Sequence, residues 1–141
     1  MEELLLEVLK HYGLQEVSGP NSNPHIIEFF EEIGYKVADD SETAWCSAML
    51  NYFCKHLGYQ RSGELTARSW LKVGTKVDTP QLGDIVVYWR DTPQSWKGHV
   101  GMYISEENGL IWTLGGNQNN GLNISLYNKN RVLGYRRLSK I

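Results

Sequence analysis

Three residues of this chain, Cys46, His99 and Asn117, have the types and the placement needed for covalent chemistry. Cys46 stands where a helix is predicted to begin, His99 where a strand begins, and Asn117 just past the strand expected to fold back beside His99. A helix start favours the thiolate, the nucleophilic form of cysteine, because unpaired N–H groups and the helix dipole stabilise negative charge. The arrangement predicts a thiol nucleophile, an imidazole base and an amide that orients the base, as in a cysteine hydrolase.

Each of these residues also has an ordinary structural explanation. A cysteine in phase with the apolar face of a helix is more often a buried core residue, and Cys54, eight positions later, fits that description well. His99 could simply lie at a sheet edge, and Asn117 could form a turn. The position of Cys46 in a first helical turn is what favours the reactive interpretation, since structural cysteines have no preference for helix starts.

Neither a rival base nor a metal site competes strongly with this interpretation. His11, His25 and His56 fall near predicted helix ends, where solvated roles are usual. A zinc site built from both cysteines, His56 and His99 is disfavoured, because Cys54 and His56 are two positions apart on a helix and point in different directions. We therefore expect no metal and no organic cofactor. The acidic side chains that could still hold a cation weakly are Asp39, Asp40 and Glu42.

Composition predicts one globular domain spanning residues 1–141. The chain has a mass of 16.1 kDa, with 41% hydrophobic and 21% charged residues, which suits a single core. A formal net charge of −2 argues against a general nucleic-acid binder. Because the first residues are acidic, we predict no signal peptide. Because the apolar runs are short, we predict no membrane span. We expect a monomer made in the cytoplasm.

Helical spacing of apolar residues precedes strand-like patterns along the chain. Helices are predicted at about 2–12, from the N-cap Asn23 to Gly34, from about 41–43 to the residue before Gly58, and briefly at 66–71. Strands are predicted at 85–89, 99–104, 110–114, 121–126 and 132–138. These elements predict an α+β fold in which N-terminal helices pack on an antiparallel sheet of about five strands. The hairpin between the second and third strands should place His99 opposite residues 115–117, where Gly115 and Gly116 allow close backbone approach.

Four segments resemble the CHAP and NlpC-like cysteine peptidases in their order and spacing. They are ETAWCSA at 42–48, PQLGDIVV at 80–87, GHVG at 98–101 and GGNQ at 115–118. The chain looks most like a single-domain group found in phages and bacterial genomes, and the resemblance runs over almost all of its length. It implies a papain-like fold and hydrolysis of peptidoglycan, by an N-acetylmuramoyl-L-alanine amidase or by an endopeptidase that cuts stem peptides or cross-bridges.

The same resemblance assigns roles to individual residues. Cys46 matches the nucleophile, His99 the base and Asn117 the third polar residue, a position at which family members vary among acid, amide and histidine. Gln118 or Asn119 would take this role if the strand register is shifted by one or two residues. Backbone N–H groups at the helix start, including that of Cys46, would hold the oxyanion. The side chains expected to line the oxyanion and substrate site are those of Trp45, Ser47, Gln118 and Trp96, the last of which could stack on a sugar or a peptide.

Two further functions remain open at this point. One is a non-catalytic module that binds cell-wall peptide in the same cleft, and the other is a cysteine peptidase that cuts another amide or isopeptide bond. A phage endolysin, a bacterial effector and an autolysin are all compatible with the sequence. Each would reach the cell wall by phage-dependent release or through a secretion system.

Overall fold

The structure is a computed structural model that describes residues 2–16, 23–34 and 44–141. In these ranges the chain has an α+β fold, as predicted, with a six-stranded antiparallel sheet. The helical elements are α1 (Glu2–Leu9), α2 (Pro24–Glu31), α3 (Cys46–Leu57) and two 3-10 helices (Ala67–Lys72 and Lys129–Arg131). The strands are β1 (Thr75–Val77), β2 (Ile85–Trp89), β3 (Gly98–Glu107), β4 (Leu110–Gln118), β5 (Gly121–Asn128) and β6 (Val132–Arg137). The sheet has one strand more than predicted. The sequence did not indicate β1, because its three residues are too few to show an alternation of buried and exposed positions.

Local sequence signals account for the helix ends. Asn23 caps α2 by accepting a hydrogen bond from the His25 N–H at 3.0 Å, and Pro24 follows as the first helical residue. Gly58 ends α3 in the left-handed conformation, with φ 77°. At its start, α3 begins at Cys46 with Trp45 as the N-cap, whereas the predicted start at 41–43 lies outside the described residues. The helix α1 ends at Leu9, three residues before the predicted end, and continues as turns.

The strands follow the order β1-β6-β2-β3-β4-β5 and every neighbouring pair is antiparallel. The predicted hairpin is formed by β3 and β4, which turn at Asn108 and Gly109, both with positive φ. Its register pairs Met102 with Leu114. Extending that register would place position 99 opposite position 117, but the pairing of β3 with β4 stops at Met102. The two strands therefore separate just where the candidate residues lie.

The sheet buries apolar side chains on both faces. On one face the sheet residues Val87, Val100 and Leu114 join the core formed with the three α-helices. The other face carries a smaller cluster rich in tyrosine, made of Val86, Tyr88, Tyr103, Ile111 and Tyr135. Successive side chains of a strand point to opposite faces of the sheet. In β3, Val100 therefore faces the helices, whereas His99 lies on the other face and stacks with Tyr88.

The aspartate of the Gly-Asp pair that precedes β2 stabilises the start of that strand. The Asp84 carboxylate is buried, accepts a hydrogen bond from the Gln81 N–H at 2.7 Å and pairs with Arg137 of β6, also at 2.7 Å. These contacts fix the start of β2 against the neighbouring strand. In the part of the chain that the structure describes, no helix has the length and apolar character needed to cross a membrane.

Candidate active site

The Cys46 thiol lies where β3 and β4 separate. Tyr103 exchanges backbone hydrogen bonds with the two residues just before β2. The backbone N–H and C=O groups of the odd-numbered residues of β3 therefore point toward β2, and those of the even-numbered residues point toward β4. Val100 is even-numbered, and β4 has already left the ladder at this point. The backbone N–H of Val100 instead acts on the Cys46 thiol, whose pKa it lowers. The first residue of α3 thus lies next to the backbone of the residue that follows His99.

Burial and backbone N–H groups act in opposite directions on the pKa of the Cys46 thiol. Burial raises this pKa and is the largest effect, because it disfavours the charged thiolate. The backbone N–H groups of Val100, Ser47 and Cys46 itself lower it, as does the positive charge of Arg90. The helix-start donors predicted from the sequence are therefore present. The net direction is nevertheless upward, so the resting cysteine is a neutral thiol, and the residue is only 4% exposed.

His99 is neutral as well and is fully buried. Burial lowers its pKa to about 4, the hydrogen bond to Gln118 raises it, and the charge of Arg90 adds to the lowering. The ring nitrogen Nε2 lies 2.9 Å from Oε1 of Gln118. Among the described residues the other ring nitrogen, Nδ1, has no hydrogen-bond partner. Which nitrogen carries the hydrogen depends on the orientation of the Gln118 amide.

The surroundings of Gln118 determine that orientation. Its Nε2 donates to the Thr113 carbonyl oxygen at 3.1 Å, to the Asn123 carbonyl oxygen at 2.8 Å and to Asn123 Oδ1 at 3.1 Å. All three are acceptors, so the NH₂ group must face them and Oε1 must face His99. His99 Nε2 therefore carries the hydrogen and donates it to Oε1. This leaves Nδ1 as the unprotonated nitrogen with a free lone pair.

Asn123 holds this network together and was not singled out from the sequence. Its Nδ2 donates to the Gln118 backbone oxygen at 2.7 Å, and its Oδ1 also accepts a hydrogen bond from the Ser125 hydroxyl at 2.6 Å. These contacts fix the Asn123 amide, and through it the Gln118 amide. An asparagine in a strand gives no local signal of such a role, because the contact depends on the pairing of β4 with β5.

Asn117, the first choice for the orienting residue, is not the one that contacts His99. The register of β4 with β5 shifts between Gly115 and Gln118, and Asn117 adopts a left-handed conformation with φ 59° inside this irregularity. The shift moves the next residue, Gln118, into contact with the imidazole. Gln118 was one of the two alternatives, while the other, Asn119, is exposed in the turn that follows.

Gly115 and Gly116 bring the β4 backbone close to both candidate elements, as predicted. A Cβ on Gly115 would lie 2.7 Å from Oε1 of Gln118 and 3.3 Å from Nε2 of His99. A Cβ on Gly116 would lie 2.5 Å from Cζ3 of Trp45, the residue before Cys46. Gly116 therefore lets the strand approach the start of α3, and Gly115 leaves room for His99 and Gln118.

Tyrosine rings and one arginine complete the surroundings of His99. The Tyr127 ring stacks on the imidazole at 4.9 Å and on Tyr88 at 4.6 Å. Burial raises the pKa of Tyr127 to about 12, so the phenol is neutral. Arg90 follows β2, and its positive charge lowers the pKa of Tyr127. Neither Tyr127 nor Arg90 was identified from the sequence, because only the fold brings them to Cys46.

Two of the predicted substrate-contacting side chains lie in the core. Trp45 is fully buried, with its ring against Gly116 and 6.2 Å from the Phe29 ring. The Ser47 hydroxyl is also buried, donating to the Glu64 carbonyl oxygen at 2.6 Å and accepting from Trp70 Nε1 at 2.8 Å. Only the backbone N–H of Ser47 faces the thiol. Trp96, in contrast, is 71% exposed.

The remaining reactive side chains lie elsewhere. Burial raises the pKa of the Cys54 thiol to about 12, so this second cysteine is inert at neutral pH. His11 stacks near Phe53, His25 is exposed, and His56 pairs with Glu32 at 3.5 Å. The described residues contain no cluster of three or more metal-ligating side chains, and the acidic group at 39–42 lies outside those residues.

Comparison with known proteins gives no independent assignment: no protein-family model matches the chain, and no curated protein matches it.

Proposed function

We propose that this protein is a cysteine-dependent amide hydrolase of the papain-like CHAP and NlpC-like type, with Cys46 as the nucleophile and His99 as the base. The observation that supports the proposal is the position of Cys46, the first residue of α3, next to the backbone of Val100, the residue after His99. There the backbone N–H of Val100 lowers the pKa of the Cys46 thiol. The neighbouring residue, His99, has one ring nitrogen with no partner among the described residues, while Gln118 holds the other. A nucleophile, a base and an orienting group are thus supplied by three different elements.

The proposed reaction begins from the neutral pair. His99 Nδ1 takes the proton of the Cys46 thiol as the sulfur attacks the scissile carbonyl carbon, and the backbone N–H groups at the start of α3 stabilise the oxyanion. Collapse of this intermediate breaks the C–N bond, the imidazolium gives its proton to the leaving amine, and a thioester remains. Nδ1 then removes a proton from water, which attacks the thioester, and the thiol regains the proton as the acid leaves.

The neutral resting state has a physical origin in this site. A thiolate–imidazolium pair needs a charged or well-solvated environment, whereas His99 is buried and is oriented by the neutral amide of Gln118. The positive charge of Arg90 disfavours the imidazolium and favours the thiolate. Proton transfer is therefore expected to accompany attack on the substrate instead of preceding it.

Peptidoglycan is the proposed substrate, and this part of the proposal is supported by the sequence resemblance alone. The candidate activities are N-acetylmuramoyl-L-alanine amidase and stem-peptide or cross-bridge endopeptidase. Digestion of purified sacculi followed by mass spectrometry of the released muropeptides distinguishes them, because the bond that is cut determines which new amino terminus appears.

The two cysteines provide a matched test of the mechanism. Cys46→Ala should abolish the solubilisation of purified sacculi, while Cys54→Ala, which removes the buried thiol of the same helix, should retain it. Circular dichroism of both variants checks that each is folded. Solubilisation by the Cys46→Ala protein at the wild-type rate would refute the assignment.

The raised pKa and near-complete burial of Cys46 favour a second candidate, a non-catalytic module that binds cell-wall peptide. Alkylation with iodoacetamide separates the two functions. A nucleophilic Cys46 should be labelled much faster than Cys54, and more slowly in the His99→Ala variant. Equally slow labelling of both cysteines, together with binding to sacculi without product release, would favour the binding module.

A further inference from the structure

The loop between β2 and β3 presents a large apolar ring to solvent while being held in place. Trp96 lies in this loop and is 71% exposed. Burying an indole of this size is worth about 2–3 kcal/mol, so an exposed tryptophan on a loop that is free to rearrange would tend to fold back onto the protein. The ring stays exposed because its loop is anchored.

Arg68 is the main anchor. Its guanidinium donates to three backbone carbonyl oxygens of the loop, from Nε to Lys97 at 2.9 Å, from Nη1 to Pro93 at 2.8 Å and from Nη2 to Thr92 at 3.1 Å. An ion pair of 3.2 Å between Lys97 and Asp91 closes the base of the loop. The donors of Arg68 are thus used to fix the loop backbone on both sides of Trp96.

The anchor is connected to the candidate nucleophile. Arg68 lies on the 3-10 helix that also carries Trp70, and Trp70 Nε1 donates to the Ser47 hydroxyl at 2.8 Å. Ser47 is the residue after Cys46. On the other side, Trp96 is three residues before His99 in the chain. The backbone that carries Trp96 is therefore anchored to the element that also contacts the residue after Cys46.

The surroundings of Trp96 indicate the chemistry of its ligand. The flanking loop residues are polar and largely exposed, namely Asp91, Thr92, Gln94, Ser95 and Lys97. A flat aromatic ring with hydrogen-bonding groups around it suits a ligand that has an apolar face and a polar edge. A pyranose has both, with C–H groups on its face and hydroxyl groups around its rim. Apart from Pro93, the exposed residues beside Trp96 in the loop are polar, which favours a pyranose over an apolar peptide side chain.

We propose that Trp96 and its Arg68-anchored loop form a saccharide-binding subsite that stacks on a pyranose ring of the glycan strand beside the scissile bond. Identifying the glycan as peptidoglycan rests on the proposed function, but sugar binding itself requires no turnover. Because the loop backbone is already anchored, little backbone conformational entropy is lost when the sugar binds.

The test uses the full chain carrying Cys46→Ala and chitotetraose as the probe. Indole N–H signals are followed by ¹H–¹⁵N NMR during the titration, and the Trp96 signal is identified by its absence from a Trp96→Ala variant. We expect a saturable shift of the Trp96 signal and an affinity about tenfold lower or weaker still after Trp96→Ala. Arg68→Met should also weaken binding, although it leaves the indole intact.

Trp112→Thr is the matched control. Trp112 is another exposed tryptophan, at 39%, but it lies in β4 and not in the anchored loop, so its removal should leave the affinity for chitotetraose unchanged. The proposal is overturned if the Trp96 signal does not move, if Trp96→Ala binds as well as its parent, or if a stem peptide shifts the signal and chitotetraose does not. Iodoacetamide labelling of the unsubstituted protein reports on Cys46 separately, so failure of the sugar subsite and failure of the hydrolase are distinguishable.

Discussion

Substituting Gln118 by glutamate tests the assignment of the His99 tautomer. The change replaces the Gln118 NH₂ group by an oxygen that would face the Thr113 and Asn123 carbonyl oxygens and Asn123 Oδ1, at distances of 2.8–3.1 Å. Each lost hydrogen bond costs about 1 kcal/mol, and leaving buried oxygens unpaired against one another costs more. We expect Gln118→Glu to lower the free energy of unfolding by about 3 kcal/mol or more at pH 7.

The size of this loss should depend on pH in a defined direction. Burial and the facing oxygens raise the pKa of the introduced carboxyl above its ordinary value, so the folded protein holds a proton that the unfolded chain releases. The loss of stability relative to the wild type should therefore be largest above the raised pKa of the carboxyl and should shrink as pH is lowered toward about 4.3. A protonated carboxyl can again donate a hydrogen bond to one of the facing oxygens.

Guanidinium unfolding followed by tryptophan fluorescence at pH 7 and near pH 4.5 measures both effects. Asn119→Asp is the matched control, since it makes the same amide-to-acid change one residue away on an exposed side chain, and it should change stability little. A Gln118→Glu protein as stable as the wild type at pH 7 would show that the amide is turned the other way. His99 would then carry its hydrogen on Nδ1, and the proposed base would be occupied.

Two further predictions concern the same region. Because the pKa of His99 is lowered to about 4 from an ordinary value of 6.5, only the unfolded chain binds a proton between those values, so stability should fall as pH decreases through this window. The fall should be about 3 kcal/mol larger in the wild type than in His99→Gln, measured by denaturant unfolding, and identical pH profiles would contradict the burial of the imidazole. Gly116→Ala places a Cβ 2.5 Å from Cζ3 of Trp45 and should lower the free energy of unfolding by about 1–3 kcal/mol. Gly134→Ala, whose Cβ would meet only the end of the Leu71 side chain at 3.1 Å, should cost less in the same unfolding assay, and equal losses would contradict the proposed contact.

The residues that could be predicted from sequence are those with local signals. Helical periodicity and a first-turn position placed Cys46 at the start of α3, and β-branched and aromatic runs located the strands that carry His99 and its hairpin partner. The glycine pair at 115–116 indicated close backbone approach, which the structure contains. These features depend on residues within a few positions of each other in the chain.

Tertiary structure decided which groups meet and in which protonation state. Because of an irregularity in β4, Gln118 contacts His99 in place of the predicted Asn117. The alternation of apolar and polar residues in the sequence does not indicate such a one-residue shift of register. Asn123, Tyr127 and Arg90 reach the site from separate parts of the chain. The sequence alone predicted a helix-start thiol that ionises easily, whereas packing against the sheet buries it and raises its pKa. Periodicity is encoded locally, but desolvation and side-chain contacts depend on what the whole fold places around a residue.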